Sequence, residues 1–138
     1  MLVNTTEISP RFSEVDSMGI VWHGHYIQYF EVGREAFGKE YGIGYMDVYA
    51  QGFFLPIVNI NCSYKKPIPY DKPFLIETRY IDSPAAKIQF AYTLTCTDKN
   101  EIYATGNSEQ VFLTKERELH LTVPRFFEEW KKRCGLIL

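Results

Sequence analysis

From Phe54 onward, apolar and polar positions alternate with a period of two, which is typical of strands with one buried face. The alternation is clearest over residues 87–97, where one face is apolar or aromatic and the other is almost wholly polar. Short turn sequences separate four such runs, so neighbouring strands are predicted to be antiparallel and to form a meander of four. A first strand precedes them, and the five predicted strands cover residues 7–14, 56–66, 74–80, 87–97 and 102–114.

Between the first two strands the apolar positions change to the period of a helix. The pattern predicts a helix over residues 24–41 that ends at Gly42 and Gly44. Gly33 lies in the middle of its apolar stripe, where glycine costs ~1 kcal/mol of helix propensity relative to Ala. We interpret it as a point where the helix backbone approaches a sheet closely. With a short final helix predicted over residues 124–133, the elements make one two-layer α+β domain, a long helix on an antiparallel sheet.

Composition narrows the function classes. The chain has 138 residues, 46% of them apolar and 23% charged, as expected of a single globular domain. A net charge of −2 gives no bulk attraction to nucleic acid or to an anionic membrane, and no apolar run is long enough to span a bilayer. The N-terminus does not resemble a signal peptide, and the three dispersed cysteines lack metal-binding spacing. We therefore expect a cytoplasmic protein with reduced thiols and no metal site.

Aromatic residues are unusually frequent, with ten Tyr, ten Phe and two Trp. Most belong to the helix stripe or to the sheet face that should receive it. Trp22, Phe53 and Phe54 lie outside both sets, so we interpret them as candidates for an apolar ligand pocket or a self-association surface.

The stretch between the first strand and the long helix holds the candidate chemistry. Asp16 to Gly19 fits a type I turn, and the apolar triplet after it delivers His23 to the start of the helix. Unpaired N–H groups at a helix start can hold an oxyanion, so a carboxylate close by suits acyl transfer. On spacing alone, however, an Asp such as Asp16 is more often a turn former, and histidines such as His23 and His25 at a helix start are more often solvent-facing or capping residues than catalytic ones. No serine elbow, Cys-His pair, phosphate loop or dinucleotide motif is present.

The stretch nevertheless has a recognisable pattern. It reads Asp16-x-x-Gly19-Ile20-Val21-Trp22-His23-x-x-Tyr26, followed by Tyr29-Phe30-Glu31 and Arg34. This pattern resembles the 4-hydroxybenzoyl-CoA thioesterase family of hotdog-fold enzymes, which includes acyl-CoA thioesterases associated with the Tol-Pal system. The element order of that family also matches the predicted order here, although Val15 stands where many members carry a small polar residue or Cys.

The resemblance implies roles for particular residues. Asp16 matches the catalytic carboxylate, a nucleophile through a mixed anhydride or a general base on water. His23 matches the position whose backbone N–H polarises the thioester carbonyl, and a His there has a supporting catalytic role in Tol-Pal-type members. Gly19 matches the glycine that permits the turn. Glu31 and Arg34 match helix positions of the pattern, and an i,i+3 ion pair explains them equally well.

The resemblance also implies a substrate, and with it candidate contacts for the CoA and acyl parts. The expected substrate is an acyl-CoA or an acyl-carrier-protein thioester, with CoA entering as substrate and no separate cofactor. Some relatives bind CoA phosphates with a basic cluster, of which only Lys87 matches, so Lys65 and Lys66 are further candidates for that contact. The expected acyl pocket involves Gly19, Trp22, Tyr26, Phe53 and Phe54.

Two other function classes stay open at this point. One is a hotdog dehydratase or hydratase, which the residues His23 to Tyr26 do not favour because they lack the His-Phe-Pro or Asp-x-Asn-x-x-His signature. The other is a non-enzymatic module that binds acyl thioesters. The resemblance to the thioesterase family also implies a homodimer joined edge to edge into a continuous sheet, often a tetramer, with the site at the interface.

Overall fold

The computed structural model describes residues 1–138 and contains seven strands and three α-helices. The strands are β1 (Val3–Ile8), β2 (Phe53–Phe54), β3 (Ile57–Tyr64), β4 (Phe74–Ile81), β5 (Lys87–Cys96), β6 (Ile102–Val111) and β7 (Leu113–Thr114). The helices are α1 (Tyr26–Tyr41), α2 (Tyr45–Ala50) and α3 (Arg125–Arg133), and 3₁₀ turns cover Phe12–Glu14 and His23–His25. No helix is long and apolar enough to cross a membrane.

Five strands form one antiparallel sheet in the order β1-β4-β5-β6-β3, and α1 packs on one face of it. The predicted α+β architecture is confirmed, but the predicted meander of four consecutive strands is wrong. Only β4, β5 and β6 follow one another, because β3 pairs with β6 at the far edge. The cause is the connector over residues 65–73, which does not form a hairpin. It crosses to the start of α1, where Val21 N–H donates to Ile68 O at 3.0 Å.

Three element boundaries also differ from the prediction. β1 ends at Ile8, and Pro10, which has no N–H for a strand ladder, separates it from the 3₁₀ turn at Phe12–Glu14. The last long strand stops at Val111, and Leu113–Thr114 pairs instead with Phe53–Phe54 in a second, two-stranded sheet. The long helix begins at Tyr26 after the turn at His23–His25.

The core between α1 and the sheet is largely aromatic. Phe30 of α1 stacks on Tyr92 of β5 with ring centroids 4.6 Å apart, and both side chains are fully buried. One turn further along, Gly33 lies directly on β4, where an added Cβ would stand only 2.7 Å from Ile76 Cγ2. The interpretation of Gly33 as a point of close approach is therefore confirmed.

The C-terminal helix fastens the far end of this core. Trp130 Nε1–H donates to Tyr41 O at 2.7 Å, at the last residue of α1. Lys131 is buried, and its Nζ donates to Ser83 O at 2.7 Å and lies 3.0 Å from Asp82 Oδ1. A buried ammonium needs such partners, so α3 holds the β4–β5 turn in place.

Candidate functional site

Asp16 lies in a tight turn that fixes its carboxylate. Asp16 Oδ1 accepts the Met18 N–H at 2.8 Å, and Asp16 O accepts the Gly19 N–H at 3.1 Å. Gly19 has a φ of +76°, a left-handed conformation that glycine adopts at little cost. The turn predicted from Asp16 to Gly19 is present, and Asp16 Oδ2 makes no hydrogen bond within the chain.

Backbone hydrogen bonds hold this turn beside the start of α1. Val15 and Val21 form a β-bridge, and Ile20 forms another with Pro69 of the connector. Trp22 N–H donates to Glu14 O at 2.9 Å. The chain therefore passes from the Asp16 turn to the helix within a few residues. Hydrogen bonds to Glu14 and to the connector hold this short segment in place.

The 3₁₀ turn at His23–His25 presents free donors at the start of α1. His25 N–H donates to Trp22 O at 3.0 Å, and the N–H of Tyr26 donates to His23 O. The N–H groups of His23 and Gly24 precede these bonds and have no partner inside the turn. Trp22 folds its indole over Gly24, where a Cβ would overlap the ring, and this covers one side of the helix start.

Two buried tyrosines support the site through hydrogen bonds. Tyr29 OH donates to Glu14 Oε1 at 2.9 Å, and burial and this hydrogen bond both raise the pKa of Tyr29. Tyr26 OH accepts the Ile68 N–H at 3.2 Å. Burial raises the pKa of Tyr26, although the Ile68 bond partly offsets it. The two hydroxyls therefore tie Glu14 and the connector to α1.

Tyr64 connects the edge of the sheet to the helix start. Its OH donates to His23 O at 2.8 Å, and its ring lies edge-on to the His23 imidazole, with centroids 6.0 Å apart. The His23 imidazole also contacts Trp22, at 5.0 Å between centroids, and makes no hydrogen bond within the chain.

A large groove runs along the other half of α1. Its volume is about 710 Å³, and it is lined by the α1 flank, the start of α2 and the ends of β5 and β6. Arg34 and Gln110 line it, and Arg34 Nη1 and Gln110 Oε1 are buried without a hydrogen-bond partner. Arg34 Nη2 lies 3.6 Å from Glu31 Oε1, which is the ion pair that the spacing allowed. Asp16 does not line this groove within one chain.

The structure brings some of the predicted site residues together and separates others. Asp16, Gly19, Trp22, His23 and Tyr26 lie around the helix start. Phe53 and Phe54 belong instead to the two-stranded sheet, and they precede Leu55, which lines the groove.

The aromatic contacts of Phe53 and Phe54 confirm this separation from the helix start. Phe53 packs against Phe112, His120 and Phe126, whereas Phe54 packs against Tyr49 of α2. That they line an acyl pocket stays a prediction.

The three candidate lysines have different surroundings. Lys66 Nζ lies 3.4 Å from Glu101, and Lys87 Nζ lies 3.4 Å from Glu109. Lys65 is exposed and makes no ion pair within the chain. No group of three or more His, Cys, Asp or Glu residues is placed to hold a metal ion.

Sequence reasoning missed the supports of the site. Glu14, Tyr64 and Ile68 each bind a residue around the helix start from another part of the chain. One signal was available, because Ile68 is an apolar residue between Pro67 and Pro69 in an otherwise polar connector. The two prolines restrict the backbone on both sides of Ile68, so they hold its apolar side chain in a narrow range of directions.

A family model and a curated relative each match most of the chain. The model of the thioesterase-like superfamily matches residues 10–131. YneP of Bacillus subtilis (strain 168), named as a candidate acyl-CoA thioesterase, is 33% identical over 130 residues, which are 94% of each chain.

Two solved structures share the fold. The DHNA-CoA thioesterase of Staphylococcus aureus has a TM-score of 0.84 at 27% identity, covering 98% of this chain and 90% of that one. The 4-hydroxybenzoyl-CoA thioesterase of Pseudomonas sp. strain CBS-3 has a TM-score of 0.78 at 21% identity, covering 94% and 99%. The family model spans most of the chain, and the sheet wrapped around α1 is shared with both structures. The chain therefore belongs to the thioesterase-like superfamily of hotdog-fold thioester hydrolases.

Proposed function

We propose that the chain hydrolyses acyl-CoA thioesters to a free acid and CoA, with Asp16 as the catalytic carboxylate. The observation that carries the proposal is the turn at Asp16, which holds a carboxylate with one unbonded oxygen beside the free N–H groups of a helix start. The names of the relatives support the acyl-CoA part. Three free, partly buried cysteines fit a reducing compartment, so we place the activity in the cytoplasm.

The proposed chemistry needs only groups of the chain and water. Asp16 either attacks the thioester carbonyl, giving a mixed anhydride that water then hydrolyses, or removes a proton from an attacking water. The N–H groups of His23 and Gly24 stabilise the negative oxygen that forms, with the helix dipole behind them. The C–S bond breaks, CoA leaves as the thiolate and takes up a proton, and the acyl group leaves as the acid. The His23 imidazole has a supporting role next to the thioester carbonyl.

We propose further that two chains pair through β3. This strand of eight residues is an edge of the sheet, and an uncovered edge of that length is an association surface. A two-fold axis at this edge pairs the two copies of β3 antiparallel. The Tyr64 end of one chain then lies beside the Ile57 end of its partner.

This pairing gives the groove a role. Ile57 pairs with Gln110, and Gln110 and Leu55 line the groove, so the groove of one chain opens towards the helix start of the other. We propose that it takes the acyl group of the thioester held by the partner's Asp16. Trp22, Gly19 and Tyr26 would then form the mouth of the acyl pocket, with Phe53 and Phe54 supporting its far wall.

For the CoA moiety, Lys65 is the first candidate. It follows Tyr64 directly and has no acidic neighbour to neutralise it, whereas Lys66 and Lys87 already face Glu101 and Glu109. A free ammonium next to the helix start is suited to a phosphate of the substrate. We therefore rank Lys65 before Lys66 and Lys87 as the contact.

A substitution on the edge strand tests the assembly. Val58 is 58% exposed on β3, and Val58→Asp places two like charges near the proposed interface. We expect analytical ultracentrifugation to find a dimer for the wild type and a shift to monomer for the variant, with a loss of activity of about tenfold or more. Ile81→Asp, at a similarly exposed position on an internal strand, is the matched control. It should change neither the oligomeric state nor the activity. A fully active monomer would contradict the shared site.

The function itself is tested by a panel of substrates. Short-chain, long-chain and aromatic acyl-CoAs are compared with acyl-carrier-protein thioesters, with free thiol measured by a disulfide reagent. We expect turnover of at least one acyl-CoA without added metal or cofactor. Binding of acyl-CoA without release of thiol would favour the non-enzymatic module, and water addition to a crotonyl thioester would favour the hydratase.

A further inference from the structure

The hydroxyl of Tyr64 bridges two parts of the chain that are 41 residues apart. Tyr64 is the last residue of β3, and its OH donates to His23 O at 2.8 Å. Its ring also packs on Tyr26, with centroids 4.8 Å apart, and Tyr26 is buried. The side chain is therefore held by a ring contact as well as by its hydrogen bond.

The oxygen that Tyr64 binds belongs to the first peptide of the helical segment. His23 O accepts a second hydrogen bond from the N–H of Tyr26, so both of its acceptor positions are used. The peptide is planar, with its N–H, that of Gly24, directed opposite to its oxygen. Fixing the oxygen therefore fixes the direction of the Gly24 N–H, and Trp22 restrains the same peptide from the side of the Gly24 Cα.

Hydrogen bonding at one end of a peptide also strengthens the other end. A donor on the carbonyl oxygen polarises the amide, so its N–H becomes a better donor. Tyr64 supplies such a donor at neutral pH, since burial raises the pKa of its hydroxyl above the ordinary value for tyrosine. The free N–H next to the Asp16 turn is thus both aimed and polarised from the edge of the sheet.

We propose that Tyr64 is a positioning residue for the oxyanion site: it acts through the His23–Gly24 peptide and does not touch the substrate. This inference rests on the proposed function. It also connects the site to the edge strand, because the residue that orients the N–H group is the last residue of the strand through which the chains are proposed to pair.

The test is Tyr64→Phe, which removes the hydroxyl and keeps the ring contacts. With the acyl-CoA that the wild type hydrolyses fastest, we expect kcat to fall about tenfold and KM to change less than about twofold, because the lost interaction matters in the transition state. Tyr49→Phe is the matched control, since Tyr49 is an exposed tyrosine whose hydroxyl makes no hydrogen bond within the chain. It should keep the wild-type kcat.

A second readout separates positioning from general loss of structure. In the site, the Asp16 carboxylate, or water that it deprotonates, adds to the carbonyl carbon of a trifluoromethyl ketone analogue, and the C=O π electrons move to the oxygen, which becomes an oxyanion. A thioether analogue has no carbonyl and forms no oxyanion. Tyr64→Phe should weaken binding of the ketone about tenfold and leave the thioether within about twofold. Equal weakening of both analogues would overturn the positioning role, as would a kcat within about twofold of wild type.

These outcomes differ from failure of the proposed function. If the wild type hydrolyses no acyl-CoA, the function fails. If the wild type is active and Asp16→Asn is not, but Tyr64→Phe behaves as the wild type, only the role of Tyr64 fails.

Discussion

We expect Asp16→Asn to lower kcat for acyl-CoA hydrolysis by about a thousandfold and to leave the fold unchanged. The amide keeps the shape of the side chain and an oxygen for the Met18 N–H, so the turn survives. It removes the negative charge that the reaction needs, whether Asp16 attacks the carbonyl or activates water, and groups in such roles contribute on the order of 10² to 10⁴ in rate. The measurement is steady-state kinetics with the best acyl-CoA of the panel, alongside the free energy of unfolding.

The chain offers a close control for this substitution. Asp98 Oδ1 accepts the Asn100 N–H at 2.9 Å, the same two-residue arrangement that Asp16 makes with Met18. Asp98→Asn should keep wild-type activity, because it changes an equivalent turn outside the site. If Asp16→Asn keeps activity within about fivefold of the wild type, Asp16 is a turn former and the catalytic assignment is wrong.

We expect Gly33→Ala to lower the free energy of unfolding by about 2 kcal/mol, although alanine is the better helix former. A Cβ at this position would press into Ile76 and Thr78 of β4, so α1 would have to move away from the sheet. Overpacking of this kind costs up to ~3 kcal/mol. The gain in helix propensity offsets only ~1 kcal/mol of this packing cost, so the net effect on the free energy of unfolding is a loss.

Urea denaturation measures this effect. Glu35→Ala is the control, because Glu35 lies in the same helix with an exposed side chain and a surface ion pair to Lys39. It should change the free energy of unfolding by no more than about 0.5 kcal/mol. A Gly33→Ala variant as stable as the wild type would mean that the helix does not need the close contact.

Features with a local cause could be predicted from the sequence. The period-two alternation in β5 and the stripe of α1 follow from which face each element buries, and the turn at Asp16 follows from the residues inside it. Gly33 could be interpreted correctly because a glycine in the middle of an apolar stripe conflicts with helix propensity and needs a packing reason.

Features that depend on residues far away along the chain could not be predicted from the sequence. Nothing within β3 indicates that it pairs with β6 rather than with β4, since strand order depends on where the connector over residues 65–73 finds its contacts. The contact of Tyr64 could not be predicted either. Nothing in the sequence of β3 distinguishes this residue, and its hydrogen bond to His23 O depends on how the chain folds. The groove likewise depends on α2, a helix of six residues that is too short to give a clear periodic signal.

The path of the connector has a consequence for how the protein folds. The hydrogen bonds that frame the helix start come from Tyr64 and Ile68, each about forty residues away along the chain. Closing loops of that length costs entropy before any contact is gained, whereas the hairpins of β4, β5 and β6 form locally. We therefore expect the hairpins of β4, β5 and β6 to form first, and the Asp16 turn to be held beside the helix start only when the connector docks. In a refolding experiment we expect activity to return later than the sheet signal of the hairpins, because the proposed site needs the docked connector.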